Sequence, residues 1–286
     1  MKVSEIIEQT GEEEAVLDAL MQITKMTKTE LYLAKEIDEE VIDSVLDIIE
    51  QYKGGTPLAY LLGKTYFCNE YFFINDKVLV PRQETEGLVL TAMEEVTKDM
   101  IRGVEEERQK GKYSVLDLCT GSGCVGISIA LLHKSLNKDI HFNHSLKVTA
   151  SDISKPAVLL ARQNQKLHSV GNIEIIMSNL FDEIKGKFDL IVCNPPYVKT
   201  FEIGIEDKRI LREPRIALDG GLDGLYFYRK ILTESKKYLK KDGSIIFEIG
   251  NKQGHDVTQI AFENKFRKVE IRKDIANIDR ICIVRQ

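Results

Sequence analysis

The segment Asn194-Pro195-Pro196-Tyr197 follows an apolar run, residues 190–193, and places polar and aromatic groups where a buried strand should end. Two consecutive prolines hold φ near −65° and have no N–H, so they end the strand and stiffen the corner. Asn194 offers a neutral carbonyl acceptor, and the backbone carbonyl of Pro195 offers another. Two acceptors suit a planar –NH2 group, on which Tyr197 can stack. The corner therefore predicts a site for an amide or a nucleobase amine, and a stiff loop with a capping Asn is the structural alternative.

A second candidate site is the glycine-rich segment DLCTGSGCVG, residues 117–126, between a predicted strand and a predicted helix. Its glycines match the G-x-G-x-x-G pattern of dinucleotide-binding turns, which is a weak signal alone. Asp117 precedes the loop, where a pyrophosphate would add like charge, so a cationic ligand fits better than NAD. S-adenosylmethionine carries a sulfonium and an ammonium. Its predicted contacts in this segment are Asp117, Cys119, Thr120, Gly121, Ser122 and Gly123.

Two further strand ends carry side chains that suit the same ligand. Asp152 is placed to accept hydrogen bonds from both ribose hydroxyls, the Asn179 amide can pair with the adenine edge, and Leu180 can pack on the ring. The alternatives are an N-cap for Asp152 and a loop cap for Asn179. Because ligands of open α/β sheets bind at the carboxyl ends of the strands, these residues and Asn194 predict one cofactor-binding edge.

If a methyl group is transferred at this edge, the group that receives it would bind at Asn194, Pro195, Pro196 and Tyr197. The catalytic candidates among these residues are Asn194, Pro195 and Tyr197. An amide nitrogen is a poor nucleophile because its lone pair is shared with the carbonyl. Two acceptors that hold both N–H groups would let the nitrogen pyramidalise toward the methyl group. The product nitrogen then becomes acidic, so a strong general base is not required before transfer.

The elements that must position these residues alternate between strand and helix from about residue 114 onward. Strands are predicted at 114–118, 147–151, 173–177, 188–193, 244–249, 267–273 and 279–285, and helices at 124–135, 154–168, 223–240 and 253–264. Such alternation predicts an α/β fold with a parallel sheet and helices on both faces. The short connection at Ala276-Asn277 predicts that the last strand pairs antiparallel.

Ahead of the sheet, the chain reads as two smaller units. The sequence of residues 1–62 predicts short amphipathic helices, and capping-box patterns occur at Thr10-x-x-Glu13 and Thr27-x-x-Glu30. We expect this helical unit to support the fold or to recognise a partner. Residues 63–82 contain β-branched and aromatic stretches at 65–67, 71–74 and 78–80, which predict a β-hairpin linker. Residues 83–286 would then form the methyltransferase domain, which begins with a helix at 84–100.

Bulk properties exclude several protein classes. The 286 residues carry a net charge of −5, so no overall attraction to nucleic acid is expected. No secretory signal and no apolar run of about 18 residues is present, and five cysteines without a C-x-x-C pair suit a reducing cytoplasm. His133, His141 and His144 lack the spacing of a metal site, so no metal is predicted.

Five segments together resemble the release factor glutamine methyltransferases. They are TPLAYLLGKTYF (56–67), VPRQETE (80–86), DLCTGSGCVGISIA (117–130), NPPY (194–197) and EPRIALDGGLDGLYFYRKI (213–231). The resemblance implies a Rossmann-like, seven-stranded methyltransferase sheet. It implies methyl transfer from S-adenosylmethionine to the glutamine of the Gly-Gly-Gln motif of peptide chain release factors, with S-adenosylhomocysteine as product. It also implies that Asn194 and Pro195 hold the glutamine amide and that the N-terminal helices contact the release factor. Asn179 stands where the family more often has aspartate.

Two other functions remain open at this stage. An adenine-amine methyltransferase acting on nucleic acid would use a similar corner, although the acidic net charge argues against it. A non-catalytic S-adenosylmethionine-binding interaction protein would not need Asn194 and both prolines. We expect a monomer that contacts neither membrane nor nucleic acid. The roles of Arg82, Glu84, Glu86, Arg215 and Asp219, in the site or in the fold, stay undecided.

Overall fold

The computed structural model describes residues 1–105, 112–140, 145–205 and 210–286. Residues 1–62 form helices whose apolar faces enclose a small core of their own. They are α1 (Val3–Thr10), α2 (Glu13–Thr24), α3 (Lys28–Leu33), α4 (Glu39–Lys53) and α5 (Leu58–Leu62). Val16 and Leu20 of α2 and Val45 and Ile49 of α4 are buried, as their helical spacing predicts.

One of the two predicted capping boxes is present. The Thr27 hydroxyl accepts a hydrogen bond from the Glu30 N–H, and the Glu30 carboxylate accepts one from the Thr27 N–H, at 3.2 and 2.7 Å. The prediction for Thr10 was wrong, because Thr10 is the last residue of α1 and its hydroxyl donates to the Ile6 carbonyl. Gly11, which follows, has a φ of 72° and ends the helix.

A short antiparallel hairpin follows the helices. It consists of β1 (Lys64–Phe67) and β2 (Glu70–Phe73). The third stretch, 78–80, is not a strand; Val78 and Val80 instead pack with Ala157 and Leu160 in a separate apolar cluster. The chain after the hairpin therefore turns at residues 75–78 and packs against Ala157 and Leu160.

The main sheet has the strand order β5-β4-β3-β6-β7-β9-β8. Its strands are β3 (Lys112–Leu118), β4 (Ser145–Asp152), β5 (Ile173–Met177), β6 (Phe188–Cys193), β7 (Leu239–Glu248), β8 (Lys268–Lys273) and β9 (Asp279–Arg285). The strands from β5 to β7 run parallel, and β9 is antiparallel to both neighbours. The predicted α/β class and the antiparallel last strand are confirmed. The order reverses between β3 and β6, where open α/β sheets form their binding crevice.

Helices cover both faces of this sheet. They are α6 (Glu86–Glu105), α7 (Cys124–Ile140), α8 (Lys155–Leu167), α9 (Tyr226–Glu234) and α10 (Gly254–Glu263). Residues of α6, α7 and α8 share one apolar cluster with the sheet, and residues of α9 and α10 share another. Both faces of the parallel strands are therefore buried, which explains their nearly continuous apolar sequences.

The largest difference from the predicted elements lies around α9. A helix was predicted over 223–240, but α9 begins at Tyr226, and a 3-10 turn at Ser235–Lys237 leads into β7. Gly224 adopts a φ of 75°, and the Asp223 carboxylate accepts a hydrogen bond from the Leu225 N–H, so a turn replaces the first helical residues. Helix α6 continues to Glu105, past the predicted end at residue 100, and residues 106–111 lie outside the described ranges.

Candidate active site

Three adjoining cavities lie at the carboxyl ends of β3, β4, β5 and β6. The main cavity, about 280 Å³, is lined by Cys119, Gly121, Asp152, Asn179, Leu180, Asn194 and Pro196 among others. The loop pocket, about 50 Å³, is lined by Asp117, Cys119, Thr120, Gly121, Ser122 and Asn194. The side pocket, about 200 Å³, is lined by Arg82, Asn194, Pro195, Tyr197 and Glu248. Asn194 borders all three, and Gly123 is the one predicted site residue that borders none of them.

The glycine-rich segment is held by hydrogen bonds to a buried carboxylate. Asp117 Oδ2 accepts from the Thr120 hydroxyl at 2.5 Å and from the Gly126 N–H at 2.9 Å. A Cβ on Gly126 would lie 2.9 Å from that oxygen, so the close approach requires glycine. Burial raises the pKa of Asp117 to about 7, against the lowering effect of these two hydrogen bonds. A cation nearby would favour the charged form of this carboxyl.

Gly123 lines none of these cavities and instead packs against a neighbouring helix. Its φ is 82°, and an added Cβ would lie 3.0 Å from the Ala161 Cβ of α8. The glycine therefore lets the start of α7 approach α8 closely. Cys119 and Gly121 also have positive φ values, 59° and 55°, which turn the chain sharply between β3 and α7.

Asp152 faces the same segment from the end of β4. Its Oδ2 accepts from the Gly121 N–H and its Oδ1 from the Ser154 N–H, each at 2.9 Å. The N-cap of α8 is Ser154, so Asp152 does not have the capping role that the sequence left open. Each carboxylate oxygen keeps a second lone pair for a ligand hydroxyl. Burial raises the pKa of Asp152.

The turn after β5 forms another part of the main-cavity wall. Asn179 is exposed, and no other described residue makes a hydrogen bond with its side chain. Leu180 has a φ of 48°, and its carbonyl accepts from the Ser178 hydroxyl at 2.8 Å. The turn therefore presents one amide with free donor and acceptor groups beside one apolar side chain.

Asn194 has a defined orientation at the end of β6. Its Nδ2 donates to the Thr85 hydroxyl at 3.3 Å. Within the described part of the chain, neither Asn194 Oδ1 nor the Pro195 carbonyl accepts a hydrogen bond. Two consecutive residues thus offer open acceptor atoms. Such a pair is complementary to a group that carries two N–H donors.

Tyr197 is held at both its backbone and its hydroxyl. The hydroxyl donates to Glu248 Oε1 at 3.2 Å, and the backbone carbonyl accepts from Gln253 Nε2 at 3.0 Å. A Cβ on Gly220 would lie 2.7 Å from the Tyr197 Cα, and one on Gly224 would lie 2.5 Å from the Tyr197 oxygen. Backbone therefore packs directly on the corner and leaves its ring in one position.

Sequence reasoning missed Thr85, Glu248 and Gln253. Glu248 ends the apolar run SIIF, and one carboxylate at the end of a buried strand was a signal that could have identified it. Thr85 and Gln253 carry no comparable local signal, because they reach the corner only through the tertiary fold.

The five undecided residues divide between the site and its surroundings. Arg82 lines the side pocket and pairs with buried Glu213 at 2.5 Å. Glu84, Glu86, Arg215 and Asp219 line none of the three cavities. Glu86 accepts from the Cys68 N–H. Asp219 accepts from the Thr200 hydroxyl, the Gly221 N–H and Arg215, so it orders the segment beside the corner.

No group of three or more His, Cys, Asp or Glu side chains suited to a metal ion occurs among the described residues, and His141 and His144 lie outside them. None of the described helices combines the length and the apolar character needed to cross a membrane.

Comparisons with known proteins agree that the chain contains a methyltransferase domain. Residues 95–277 match the family model "Methyltransferase small domain". The chain is 36% identical over 272 residues to a release factor glutamine methyltransferase of Thermodesulfovibrio yellowstonii, covering 94% of this chain and 91% of the relative. It is 31% identical over 293 residues to that of Aquifex aeolicus, covering 100% and 96%. Among solved structures, the chain superposes on the hMettl16 catalytic domain, which was solved in complex with MAT2A 3'UTR hairpin 6, with a TM-score of 0.55. The two sequences are 13% identical, and the match covers 86% of this chain and 82% of that one, so it supports the fold alone.

Proposed function

Because the chain belongs to the release factor glutamine methyltransferase family, we propose that it methylates the side-chain amide nitrogen of the glutamine in the Gly-Gly-Gln motif of peptide chain release factors. The observation that carries this proposal is the pair of open acceptors, Asn194 Oδ1 and the Pro195 carbonyl, in a pocket with Tyr197. Both acceptors are neutral, which suits an uncharged amide better than an ammonium group.

The acceptor pair would act on the nucleophile in two ways. Two hydrogen bonds would orient the –NH2 group for in-line displacement, and orientation accounts for a large part of such rates. They would also favour a pyramidal nitrogen whose lone pair is less shared with the carbonyl. Pro195 and Pro196 limit movement of the acceptors, since their φ angles are restricted. Tyr197 would stack on the planar amide.

S-adenosylmethionine is the methyl donor in this proposal, and its sulfonium supplies an electrophilic methyl group. The residues at the main cavity fit such a ligand. Asp152 retains lone pairs for ribose hydroxyls, Asn179 has free amide groups for an adenine edge, and Leu180 offers an apolar contact. Asp117, held under the loop, provides negative charge near a cationic ligand.

Partner recognition is assigned to the helical residues 1–62, with 63–82 as linker and 83–286 as the catalytic domain. A cleft of about 540 Å³ between the helices and the hairpin supports this assignment. It is lined by Met21, Met26, Leu58, Leu62, Tyr66 and Tyr71 among others. Aromatic and methionine side chains of this kind are enriched in protein interfaces. A translation factor as substrate would place the enzyme in the cytoplasm.

The test is a transfer assay with S-adenosylmethionine labelled in its methyl group. We expect label on a purified release factor and none on the same factor with its Gly-Gly-Gln glutamine changed to alanine. Double-stranded and single-stranded DNA and total RNA serve as competing acceptors. Label on nucleic acid but on no release factor would reject the proposed substrate in favour of a nucleobase amine.

A further inference from the structure

Two buried polar groups beside the Asn194–Tyr197 corner, the Thr85 hydroxyl and Glu248 Oε2, have unsatisfied hydrogen-bonding capacity in the part of the chain that the structure describes. Glu248 is 1% exposed, and none of the described groups makes a hydrogen bond of standard geometry with its Oε2. Thr85 is 2% exposed; its oxygen accepts from Asn194, and its own proton makes no hydrogen bond of standard geometry within the described residues. Buried polar atoms are nearly always paired, so this arrangement requires an explanation.

The fold brings these two groups to the same place. Cys193 of β6 pairs with Phe247 of β7, so Asn194 and Glu248 follow at the same level of two adjacent parallel strands. Because side chains alternate along a strand, both point to the face opposite Cys193 and Phe247. Burial raises the pKa of the Glu248 carboxyl, and a hydrogen bond from Thr85, in the 3-10 turn before α6, opposes that rise, so Thr85 lies on the same face.

We propose that Thr85 is a positioning residue that uses Glu248 to set the orientation of the Asn194 carboxamide. A carboxylate only accepts hydrogen bonds, so it takes the single proton of the Thr85 hydroxyl. The hydroxyl lone pairs then face Asn194 and select its Nδ2. Asn194 Oδ1 is thereby turned toward the methyl-accepting group. The second carboxylate oxygen holds the Tyr197 hydroxyl, so one buried charge orders both polar side chains of the corner.

The orientation matters because a carboxamide has two nearly isosteric ends. With Asn194 reversed, its –NH2 would face the –NH2 of the substrate, and two donors cannot pair. The oxygen would meanwhile face Thr85, which can donate to it if the Glu248 carboxylate does not take the proton. Thr85 and Glu248 together therefore make one of two possible orientations the stable one.

The first test separates positioning from binding, and it rests on the proposed function. Thr85→Val keeps the shape of the side chain but removes the hydroxyl. We expect kcat for release-factor methylation to fall about tenfold, the loss of one oriented hydrogen bond, while KM for the release factor and Kd for the cofactor change less than twofold. Thr85→Ser retains the hydroxyl and should stay within about threefold of the wild-type kcat. Glu248→Leu, which removes both acceptor oxygens, should behave like Thr85→Val.

Thr91→Val is the matched control, because Thr91 is buried in α6 and contacts none of the three cavities. An unchanged kcat in Thr85→Val would overturn the proposal. So would a fall in kcat that Thr85→Ser and Thr91→Val share, or one accompanied by equal loss of cofactor binding, because each would indicate a general structural defect.

The second test does not depend on methyl transfer. The Asn194 side-chain amide is identified in ¹⁵N NMR spectra as the –NH2 pair that disappears in Asn194→Ala. Its proton shifts should move in Thr85→Val and Glu248→Leu and stay in place in Thr85→Ser and Thr91→Val. Unmoved shifts in both Thr85→Val and Glu248→Leu would refute the positioning role even if the enzyme methylates release factors. Moved shifts in a protein that methylates no release factor would instead refute the proposed function alone.

Discussion

The cofactor half of the site, at the ends of β3 and β4, and the acceptor half, at the ends of β6 and β7, differ in the sequence separation of the residues that contact each other. At the ends of β3 and β4, the hydrogen bonds of the loop span fewer positions: Gly126 to Asp117 is nine apart, Ser154 to Asp152 two and Gly121 to Asp152 31. At the ends of β6 and β7, the side chains of the corner are held from afar. Asn194 bonds to Thr85 across 109 positions and Tyr197 to Glu248 across 51.

This difference suggests that the two halves can be perturbed separately. The cofactor half combines the backbone N–H groups and glycines of one loop with Asp152, Asn179 and Leu180 from two neighbouring strand ends. The acceptor half consists of side-chain pairs that meet only when distant segments are folded together, since long loops must close before such contacts form. A change in an acceptor side chain should therefore leave cofactor binding in place.

Asn194→Ala should have the largest effect. Removing one of two acceptors that stabilise the reacting amide is expected to lower kcat at least 100-fold, about 2.7 kcal/mol. Cofactor affinity, measured by calorimetry, should change less than fivefold, because Asn194 provides only one part of the main-cavity wall. Equal losses of kcat and of cofactor affinity would contradict the separation of the two halves.

The same difference explains how far the sequence could be interpreted. The alternation of strands and helices, the glycine-rich turn and Asp152 are features of local sequence, and the sheet was predicted correctly from them. Thr10 was misassigned because Gly11 ends one helix where the pattern suggested the start of another. Thr85 and Glu248 were missed because no local pattern states which distant side chains will meet.

Gly126→Ala should have the next largest effect, and on the opposite half. The added Cβ would lie 2.9 Å from Asp117 Oδ2 and 3.2 Å from the Ile173 Cδ1, so the carboxylate or the loop must shift. We expect a loss of about 2 kcal/mol in the free energy of unfolding, measured in urea, and weaker cofactor binding. Gly171→Ala is the control, because its Cβ would meet nothing within 4 Å. Equal stability of the two variants would show that the loop adapts freely.

The smallest predicted effect is the pH dependence that Asp117 gives to stability. Burial raises its pKa from 3.8 to about 7, so between these values the folded state binds a proton that the unfolded state has lost. The stabilising contribution of this proton is complete below the unfolded pKa and is lost as pH rises through about 7. Asp117→Asn keeps an oxygen acceptor for the Gly126 N–H and Thr120 hydroxyl and removes the titration.

The measurement is the difference in unfolding free energy between Asp117→Asn and wild type at pH 6 and pH 8. Half a proton on average over two pH units gives a gain of about 1.4 kcal/mol for the variant between these pH values, and titrating groups that do not interact with Asp117 cancel in the difference. Cofactor affinity should move the other way, since the variant lacks the charge that favours a cation. A variant that gains stability with pH and also binds the cofactor as tightly as wild type would show that Asp117 supports the loop alone.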